Sequence, residues 1–197
     1  MMKKNKPKHK QIIDAAVRVI AENGYHMSQV AKIAKEAGVA DGTIYLYFEN
    51  KEDILVSVFK EKMGQFIKQT AAAIQKKHTA DEKLFTLVDM HLRQLASDRH
   101  LAIVTQLELR QTKKDLRRKI NNVLIPYVSV IDSIIEEGIS EKLFRSDLNI
   151  PLVRQMIFGT LDEAVTNWVI QDESYDLVAQ AVDIHGLITH GITAKTT

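Results

Sequence analysis

One short segment of the chain holds five residues that suit contact with a nucleic acid: Asp41, Gly42, Thr43, Tyr45 and Tyr47. Thr43 offers a hydroxyl for a phosphate oxygen and a methyl group for a thymine. The two tyrosines offer phenolic hydroxyls that reach phosphate oxygens, and Gly42 lets the backbone come close to a partner. The alternative is that both tyrosines are half-buried members of a small helical subdomain. We predict that the segment contacts DNA.

This segment is the second of two short helices predicted between residues 28 and 48. The apolar residues of the first helix recur at the spacing of one helical face: Val30, Ile33, Ala34 and Ala37. Ser28 is placed to cap this helix, and Gly38 is placed to end it. Only two residues then precede Asp41, so the two helices must cross steeply. This is the layout of a helix-turn-helix, whose second helix lies in the major groove of DNA.

In the second helix, Ile44 and Phe48 are one turn apart and face inward with Val39, which leaves the polar side chains facing out. Lys51 begins the next helix, where the helix dipole disfavours a cation unless an anion such as a DNA phosphate lies nearby. A solvated lysine is the alternative at this position. The full set of predicted DNA contacts is Ser28, Gln29, Asp41, Gly42, Thr43, Tyr45, Tyr47 and Lys51.

The rest of the chain also has the periodicity of helices. A first helix is predicted over residues 9–23, and a long helix follows from residue 51 to about residue 76, with Asn50 as its N-cap and Asp53 in a capping-box-like position. Five more are predicted over residues 80–97, 100–110, 113–138, 149–171 and 174–192. No segment shows the sustained alternation of a strand. We therefore predict an all-α fold of about nine helices, with a three-helix DNA-binding domain in residues 1–50 and a larger helical domain in residues 51–197.

The net charge of +2 is unevenly distributed along the 197 residues. Residues 1–50 hold eight Lys and Arg against five Asp and Glu, and five of these bases form a basic arm that reaches the first turn of the first predicted helix: Lys3, Lys4, Lys6, Lys8 and Lys10. Such an arm is typical of a DNA phosphate or minor-groove contact, although a disordered solubilising tail would have the same composition. The sequence has no cysteine, no secretory signal pattern and no long apolar run, so we expect a cytoplasmic protein with no membrane partner.

The last two predicted helices, over residues 149–171 and 174–192, carry apolar residues around much of their circumference. A helix that is apolar on more than one face must be buried on more than one face. These helices therefore lie either deep in the core of one subunit or between that core and a second subunit, and Gly159 would allow close approach. Because helix-turn-helix proteins commonly bind two-fold sites as dimers, we predict a homodimer joined by a four-helix bundle of these helices.

The run of residues 37–48 that leads into residues 50–55 resembles the TetR family of bacterial repressors. The resemblance implies an all-α dimer in which the three-helix head binds operator DNA. It also implies a helical C-terminal domain for effector binding and dimerisation, which holds a small molecule that changes the spacing of the two heads. Further segments resemble the members of this family that control fatty-acid degradation: residues 11–16, 31–34, 102–111 and 154–160. They imply a repressor that long-chain acyl-CoA, or a fatty acid, releases from its operator.

The middle helices have the side chains that such an effector requires. Burying each methylene of an acyl chain against aliphatic residues contributes about 0.8 kcal/mol, or on the order of 10 kcal/mol for roughly sixteen carbons before the costs of binding. Six basic residues lie within residues 110–119, and arginine forks suit phosphates. The aliphatic residues are equally consistent with ordinary core, and the basic run with a solvated helix face. The predicted ligand contacts are Arg93, Leu107, Arg110, Arg117, Arg118, Phe158 and Trp168.

An enzyme is the main alternative class, and the sequence offers little for catalysis. There is no cysteine nucleophile, no pair of histidines at metal-binding spacing, no Gly-rich phosphate loop and no Gly-x-Ser-x-Gly motif. We expect no catalytic residue, no metal and no cofactor. Among regulators, the alternative is a repressor of an efflux gene that a cationic or aromatic drug releases, which needs carboxylates or aromatic rings facing its cavity.

Overall fold

The structure, a computed structural model, describes residues 6–193 and confirms an all-α fold. Nine α-helices occur in this range: α1 (Lys6–Met27), α2 (Val30–Glu36), α3 (Asp41–Ile44), α4 (Lys51–Ile74), α5 (Ala80–Ala96), α6 (Arg99–Glu108), α7 (Lys114–Ser140), α8 (Ile150–Ile170) and α9 (Ala181–Ile192). A single-turn 3₁₀ helix, Val178–Gln180, precedes α9. Between residues 6 and 193, β-type pairing is limited to an isolated antiparallel bridge of Phe144 and Thr193.

The start of α1 differs from the prediction. The helix begins at Lys6, so Lys6, Lys8 and Lys10 belong to its first turns and not to an arm before it. The proline that follows Lys6 fits the first turn of a helix, where its missing N–H would have no partner. The other two predicted bases of the arm, Lys3 and Lys4, lie outside the described residues.

The start of α9 also differs, because the prediction of a helix from residue 174 is wrong. α9 begins at Ala181 after the 3₁₀ turn. The carboxylate of Asp176 accepts hydrogen bonds from the amides of Val178 and Ala179 at 2.9 and 3.2 Å. Asp176 therefore caps a new helical start after the break, as aspartate commonly does.

The helices pack as two compact units, which we describe separately. The first unit comprises the residues up to Gly64 together with His100–Val123, and the second comprises Gln65–Arg99 together with the residues from Leu124 onward. The domain division after residue 50 remains a prediction from the sequence. Packing assigns the start of α4, nearly all of α6 and the start of α7 to the same unit as α1, α2 and α3.

The core of the first unit is built on one face of α1, whose residues are fully buried: Ile12, Ile13, Ala16 and Ile20. α2 packs against α1, and α3 packs against α2. Gly38 takes φ of 61°, as predicted for the residue that ends α2. The Nε2 of Gln11 donates to the carbonyl of Ala37 at 2.7 Å, so α1 also holds the C-terminus of α2. These contacts fix the geometry of the helix-turn-helix.

In the second unit, α5 packs against α8 and α9. Thr79 and Glu82 form a capping box at the start of α5. At the end of α7, the ring of Phe144 fills the space that a side chain at Gly138 would need, so this glycine is required by a close approach. The amide of Arg145 donates to the carbonyl of Ile192 at 2.9 Å and ties the segment after α7 to the end of α9.

Candidate DNA-binding and effector sites

α3 is shorter than the predicted helix. Its helical residues are Asp41–Ile44, and a turn continues the segment to Tyr47. A glycine and two β-branched residues within it lower its helix propensity. Ile44 and Phe48 are buried, so they face inward as predicted. The ring of His9 stacks on Phe48 with 5.0 Å between the ring centroids, which supports the segment on its buried side.

The side chains with chemistry for DNA reach the surface of the first unit. Asp41, Gly42 and Tyr45 are exposed, and Thr43 and Tyr47 are half-buried. Tyr45 has 58% of its surface exposed. An added Cβ at Gly42 would meet no atom within 4 Å, so this position is open to a close partner. The segment therefore presents hydroxyls and free space on one surface.

Two large apolar side chains of the first unit are exposed and were missed by the sequence analysis. Leu46 is 69% exposed and Met27 is 73% exposed. Leu46 could have been identified, because the inward spacing of Ile44 and Phe48 leaves residue 46 pointing out between the two tyrosines. An aliphatic side chain at such a position suits contact with a thymine methyl group.

Ser28 does not cap α2, and that prediction is wrong. Its side chain is 1% exposed, and its hydroxyl lies 2.8 Å from the carbonyl of Gly24 and 3.1 Å from that of Val19. The N-cap of α2 is Gln29, which is exposed and makes no side-chain capping bond. The hydroxyl of Ser28 instead satisfies carbonyls near the end of α1, so it holds the connection between the two helices.

Lys51 has partners within the first unit. Its Nζ donates to the carbonyl of His26 at 2.9 Å and lies 4.6 Å from the centroid of the Tyr25 ring. Burial lowers the pKa of Lys51, and the charge of Glu108 acts in the opposite direction. The predicted N-cap of α4 is confirmed, since Asn50 Oδ1 accepts from the amide of Asp53 at 3.0 Å.

Four of the predicted ligand contacts lie in the first unit: Leu107, Arg110, Arg117 and Arg118, all of them exposed. Arg117 Nη1 donates to the carbonyl of Gln111 at 3.2 Å. Arg118 forms an ion pair with Asp115 at 3.2 Å on the same helix. An exposed ion pair of this kind contributes little stability, so a phosphate can compete for the guanidinium group of Arg118.

The other three predicted ligand contacts lie in the second unit. The Nε of Arg93 donates to both carboxylate oxygens of Asp89, at 2.7 and 2.9 Å. Trp168 is buried, and its indole N–H donates to the carbonyl of Tyr175 at 3.0 Å, which is a structural contact. Phe158 is half-buried, and its ring centroid is 6.1 Å from that of Tyr127.

Phe158 borders a buried ring cluster in the second unit that the sequence analysis missed. Phe66, His91 and Tyr127 pack together with ring centroids 5.4 to 5.9 Å apart. The hydroxyl of Tyr127 and Nδ1 of His91 are joined by a hydrogen bond of 2.8 Å, while Nε2 of His91 has no partner among the described residues. The signal was available, because His91 follows Leu87 at helical spacing on the apolar face of α5.

A groove of about 820 Å³ runs along α8 and α9 in the second unit. Large apolar side chains on these helices are exposed: Leu152, Met156, Val182 and Leu187. An added Cβ at Gly159 would meet no atom within 4 Å. An exposed apolar surface of this kind is typical of a contact with another protein surface.

Residues 6–193 contain neither a cluster of metal ligands nor a membrane-spanning helix. No three His, Asp or Glu side chains in this part of the chain converge closely enough to hold a metal ion. No helix within it combines the length and the apolar character that crossing a membrane requires.

Family models match most of the chain. The model of the TetR family of bacterial regulatory proteins matches residues 12–58, and that of the C-terminal region of YsiA-like proteins matches residues 59–191. The fatty acid metabolism regulator protein of Bacillus subtilis strain 168 is 58% identical over 194 residues, which cover 98% of this chain and all of that protein. The similarity therefore extends over both compact units.

Two solved structures of related regulators match this chain over nearly its whole length. FadR from Bacillus subtilis in complex with stearoyl-CoA matches with a TM-score of 0.91 and 59% identity, covering 93% of this chain and 98% of that one. The fatty acid degradation regulator FadR from Bacillus halodurans matches with a TM-score of 0.90 and 56% identity, covering 92% of this chain and 98% of that one.

Some other relatives share only part of the sequence. The regulator HbdR of Aromatoleum sp. strain CIB is similar over 65 residues, 33% of this chain and 28% of that protein. The chain belongs to the TetR family of bacterial transcriptional regulators.

Proposed function

We propose that this TetR-family chain represses genes of fatty-acid degradation and is released from operator DNA by long-chain acyl-CoA. The observation that carries the proposal is the 58% identity to a fatty acid metabolism regulator over 98% of the chain. HbdR, in contrast, is similar over a third of the chain. Because identity continues through the C-terminal helices, it supports a shared effector as well as a shared way of binding DNA.

The alternative, a repressor released by a cationic drug, has less support. Such a drug needs carboxylates that are free to face a cavity. In the second unit, Asp132 pairs with Arg154 at 2.6 Å, and Glu137 pairs with Lys83. The buried ring cluster around His91 is uncharged at neutral pH, because burial lowers the pKa of this histidine to about 4. An uncharged ring cluster suits an acyl chain better than a cation.

For the DNA contacts we propose a set of exposed and half-buried residues on the first unit: Gln29, Asp41, Gly42, Thr43, Tyr45, Leu46, Tyr47 and Lys51. Ser28 leaves the predicted set because its hydroxyl is buried against carbonyls of α1. Lys51 remains in the set. Its ammonium group has three N–H donors, and the backbone carbonyl of His26 accepts from one of them. The hydroxyls would hold the phosphates, and Leu46 would contact a base edge in the major groove.

For the effector, Phe158 has the strongest structural support among the predicted contacts because it borders the buried ring cluster. Leu107, Arg110 and Arg117 are exposed on the first unit, and their contact with the effector remains a prediction from the sequence. Arg93 and Arg118 pair with Asp89 and Asp115, so an effector phosphate would have to displace these carboxylates. Trp168 acts in the core through its bond to Tyr175.

We also propose that the active form is a homodimer joined through α8 and α9. The groove along these helices is lined by both polar and apolar side chains, and of the apolar ones Leu187 is 77% exposed. The glycine at position 159 leaves room for the backbone of a second copy to approach. A two-fold dimer carries two copies of α3, the number that a two-half-site operator requires, and a repressor of this kind works in the cytoplasm beside the chromosome.

The proposal is tested by fluorescence anisotropy with a labelled duplex that the wild-type protein selects from a random-sequence pool. Stearoyl-CoA should release the duplex, and free CoA should not. Linkage requires that the selected duplex weaken the binding of stearoyl-CoA by the same factor, so the acyl-CoA is titrated with and without DNA. Equal acyl-CoA affinities in the two titrations contradict the proposal. Release by a cationic dye and not by stearoyl-CoA supports the alternative.

A further inference from the structure

We infer that Glu108 is a positioning residue for DNA binding, because its carboxylate holds the turn that connects α1 to α2. We call residues 24–28 the α1–α2 turn. The inference rests on the proposed function, since it concerns how the first unit arranges its DNA-contacting residues. Glu108 is the last residue of α6 and lies 83 positions along the chain from the amide that it binds.

The α1–α2 turn begins where Gly24 interrupts α1. Its torsion angles, φ of 70° and ψ of 153°, are not helical, and glycine is the residue that adopts them without strain. The next amide, that of Tyr25, donates to Oε1 of Glu108 at 2.7 Å. A charge-assisted hydrogen bond of this kind is about twice as strong as a neutral one. The carboxylate therefore replaces the helical partner that the break removes.

The carboxylate of Glu108 is itself held in place. Its Oε2 accepts from Nε2 of Gln111 at 2.6 Å, and the same Nε2 lies 3.2 Å from the backbone carbonyl of Glu108. Gln111 is 5% exposed, and its own carbonyl accepts from Arg117. Both carboxylate oxygens thus have donors, so α6 and the segment after it present this group to the turn in a defined geometry.

Glu108 also acts through its charge on the groups around the turn. Burial raises the pKa of the Tyr25 phenol to about 12, and the charges of Glu52 and Glu108 contribute in the same direction. Glu108 favours the protonated form of Lys51, whose ammonium lies over the Tyr25 ring and donates to His26. Lys113 Nζ pairs with Glu52 at 2.6 Å, which links the segment after α6 to the first turn of α4.

The α1–α2 turn leads directly into Gln29 and α2. The conformation of this turn therefore sets the position of the helix-turn-helix for DNA. If Glu108 releases the Tyr25 amide, the α1–α2 turn samples more conformations. The free energy of DNA binding then includes the entropic cost of ordering this turn. A positioning role therefore predicts weaker DNA binding when the carboxylate is removed. If Glu108 acted by its charge alone, removing it would strengthen DNA binding, because a DNA-binding surface with one anion fewer attracts phosphate more strongly.

The first experiment measures DNA affinity of full-length Glu108→Ala and Glu108→Gln with the duplex that the wild-type protein selects from a random-sequence pool. Asp14→Ala is the matched control, since Asp14 is another carboxylate of the first unit and its partner is Lys62, at 2.6 Å. We expect Glu108→Ala to weaken binding on the order of tenfold. Glu108→Gln keeps an acceptor oxygen and should weaken binding less. Asp14→Ala should stay within about twofold of the wild type.

The second experiment measures hydrogen exchange of the Tyr25 amide by NMR in the same proteins without DNA. In Glu108→Ala this amide should exchange at least about tenfold faster, while the amides of α1 before Gly24 keep their protection. A merely destabilised protein would instead lose protection throughout the first unit. The exchange measurement thus separates the proposed contact from a general loss of stability.

Three results would overturn the inference: unchanged exchange at Tyr25, binding by Glu108→Ala that equals or exceeds that of the wild type, or an equal loss in Asp14→Ala. If the wild-type protein selects no duplex at all, the proposed function fails. The exchange of the Tyr25 amide still decides in that case whether Glu108 holds the turn.

Discussion

The hydroxyl of Tyr127 and Nδ1 of His91 are 2.8 Å apart in the interior of the second unit, and both side chains are buried. Burial lowers the pKa of His91 to about 4 and raises that of Tyr127 far above its ordinary value. The pair is therefore polar but uncharged across the physiological range. It places a hydrogen-bonded pair beside Phe158 without a buried charge, which would be costly in apolar surroundings.

The first prediction concerns the pH dependence of stability. The unfolded chain protonates His91 near pH 6.5, whereas the folded chain does so near pH 4, so the unfolded state binds more protons between these values. The free energy of unfolding should therefore fall as the pH falls through this window, by about 2 kcal/mol at about pH 5 from this residue alone. Urea denaturation at about pH 7 and about pH 5 measures the loss.

The matched comparison for this prediction uses His91→Gln and His78→Gln. His91→Gln should lose less stability between the two pH values than the wild type, because glutamine does not titrate in this range. His78 is exposed, and its replacement should leave the wild-type pH dependence in place. An identical dependence in His91→Gln and the wild type would show that His91 is not the titrating group.

The second prediction concerns the hydroxyl of Tyr127. Tyr127→Phe leaves the buried Nδ1 of His91 without its partner and should lower the free energy of unfolding by about 1–3 kcal/mol. Tyr45→Phe makes the same chemical change at an exposed position and should alter stability by less than about 0.5 kcal/mol. Equal effects of the two substitutions in thermal or urea unfolding would argue against the hydrogen bond.

The helix-turn-helix could be predicted from the sequence because its determinants are local. The spacing of Ile44 and Phe48 sets the buried side of α3, and Gly38 takes the left-handed conformation expected at the end of α2. These features depend on residues within one or two helical turns. The tertiary structure did not override them.

The roles of Ser28 and Lys51 could not be predicted, because their partners are backbone carbonyls exposed by the break at Gly24. Local rules make Ser28 a cap and Lys51 a cation that needs an anion such as a DNA phosphate, and the folded turn gives both groups partners on its own backbone. Glu108 gave no signal either, since its partner, the amide of Tyr25, is distant in the chain and carries no side-chain pattern. Long-range contacts to the backbone are not encoded in periodicity.

The third prediction tests the placement of the DNA-contacting surface. Tyr45→Ala removes an exposed phenol that we assign to a phosphate, so it should weaken DNA binding to a similar extent for different sequences. Leu46→Ala should weaken binding to the preferred duplex more than to a random one, because Leu46 is assigned to a base edge. Anisotropy titrations with both duplexes measure the two effects. Tyr45→Ala binding as tightly as the wild type would contradict the placement of α3.

The fourth prediction concerns the homodimer. Leu187→Glu places a charge in the groove along α8 and α9, and burying it in an interface without a partner is costly, so the variant should be monomeric at micromolar concentration. Ile125→Glu is the control, because Ile125 is an exposed apolar residue of α7 that does not line this groove. Sedimentation velocity distinguishes the two. A dimeric Leu187→Glu variant would place the subunit contact elsewhere.

The fifth prediction separates the two functions of glycine in the first unit. Gly24 has φ of 70°, so Gly24→Ala should cost about 1–3 kcal/mol of stability through backbone strain. Gly42 lies in α3 with nothing near an added Cβ, so Gly42→Ala should leave stability unchanged or slightly higher. If the backbone at Gly42 approaches DNA closely, Gly42→Ala will nevertheless weaken DNA binding, because its methyl group occupies the space of the partner.

Urea denaturation and anisotropy on the same two variants measure these effects. Gly24→Ala should show a stability defect, and Gly42→Ala should show a binding defect without a stability defect. A stable Gly24→Ala variant would contradict the strained turn, and full DNA affinity in Gly42→Ala would show that the backbone of α3 stays clear of the duplex.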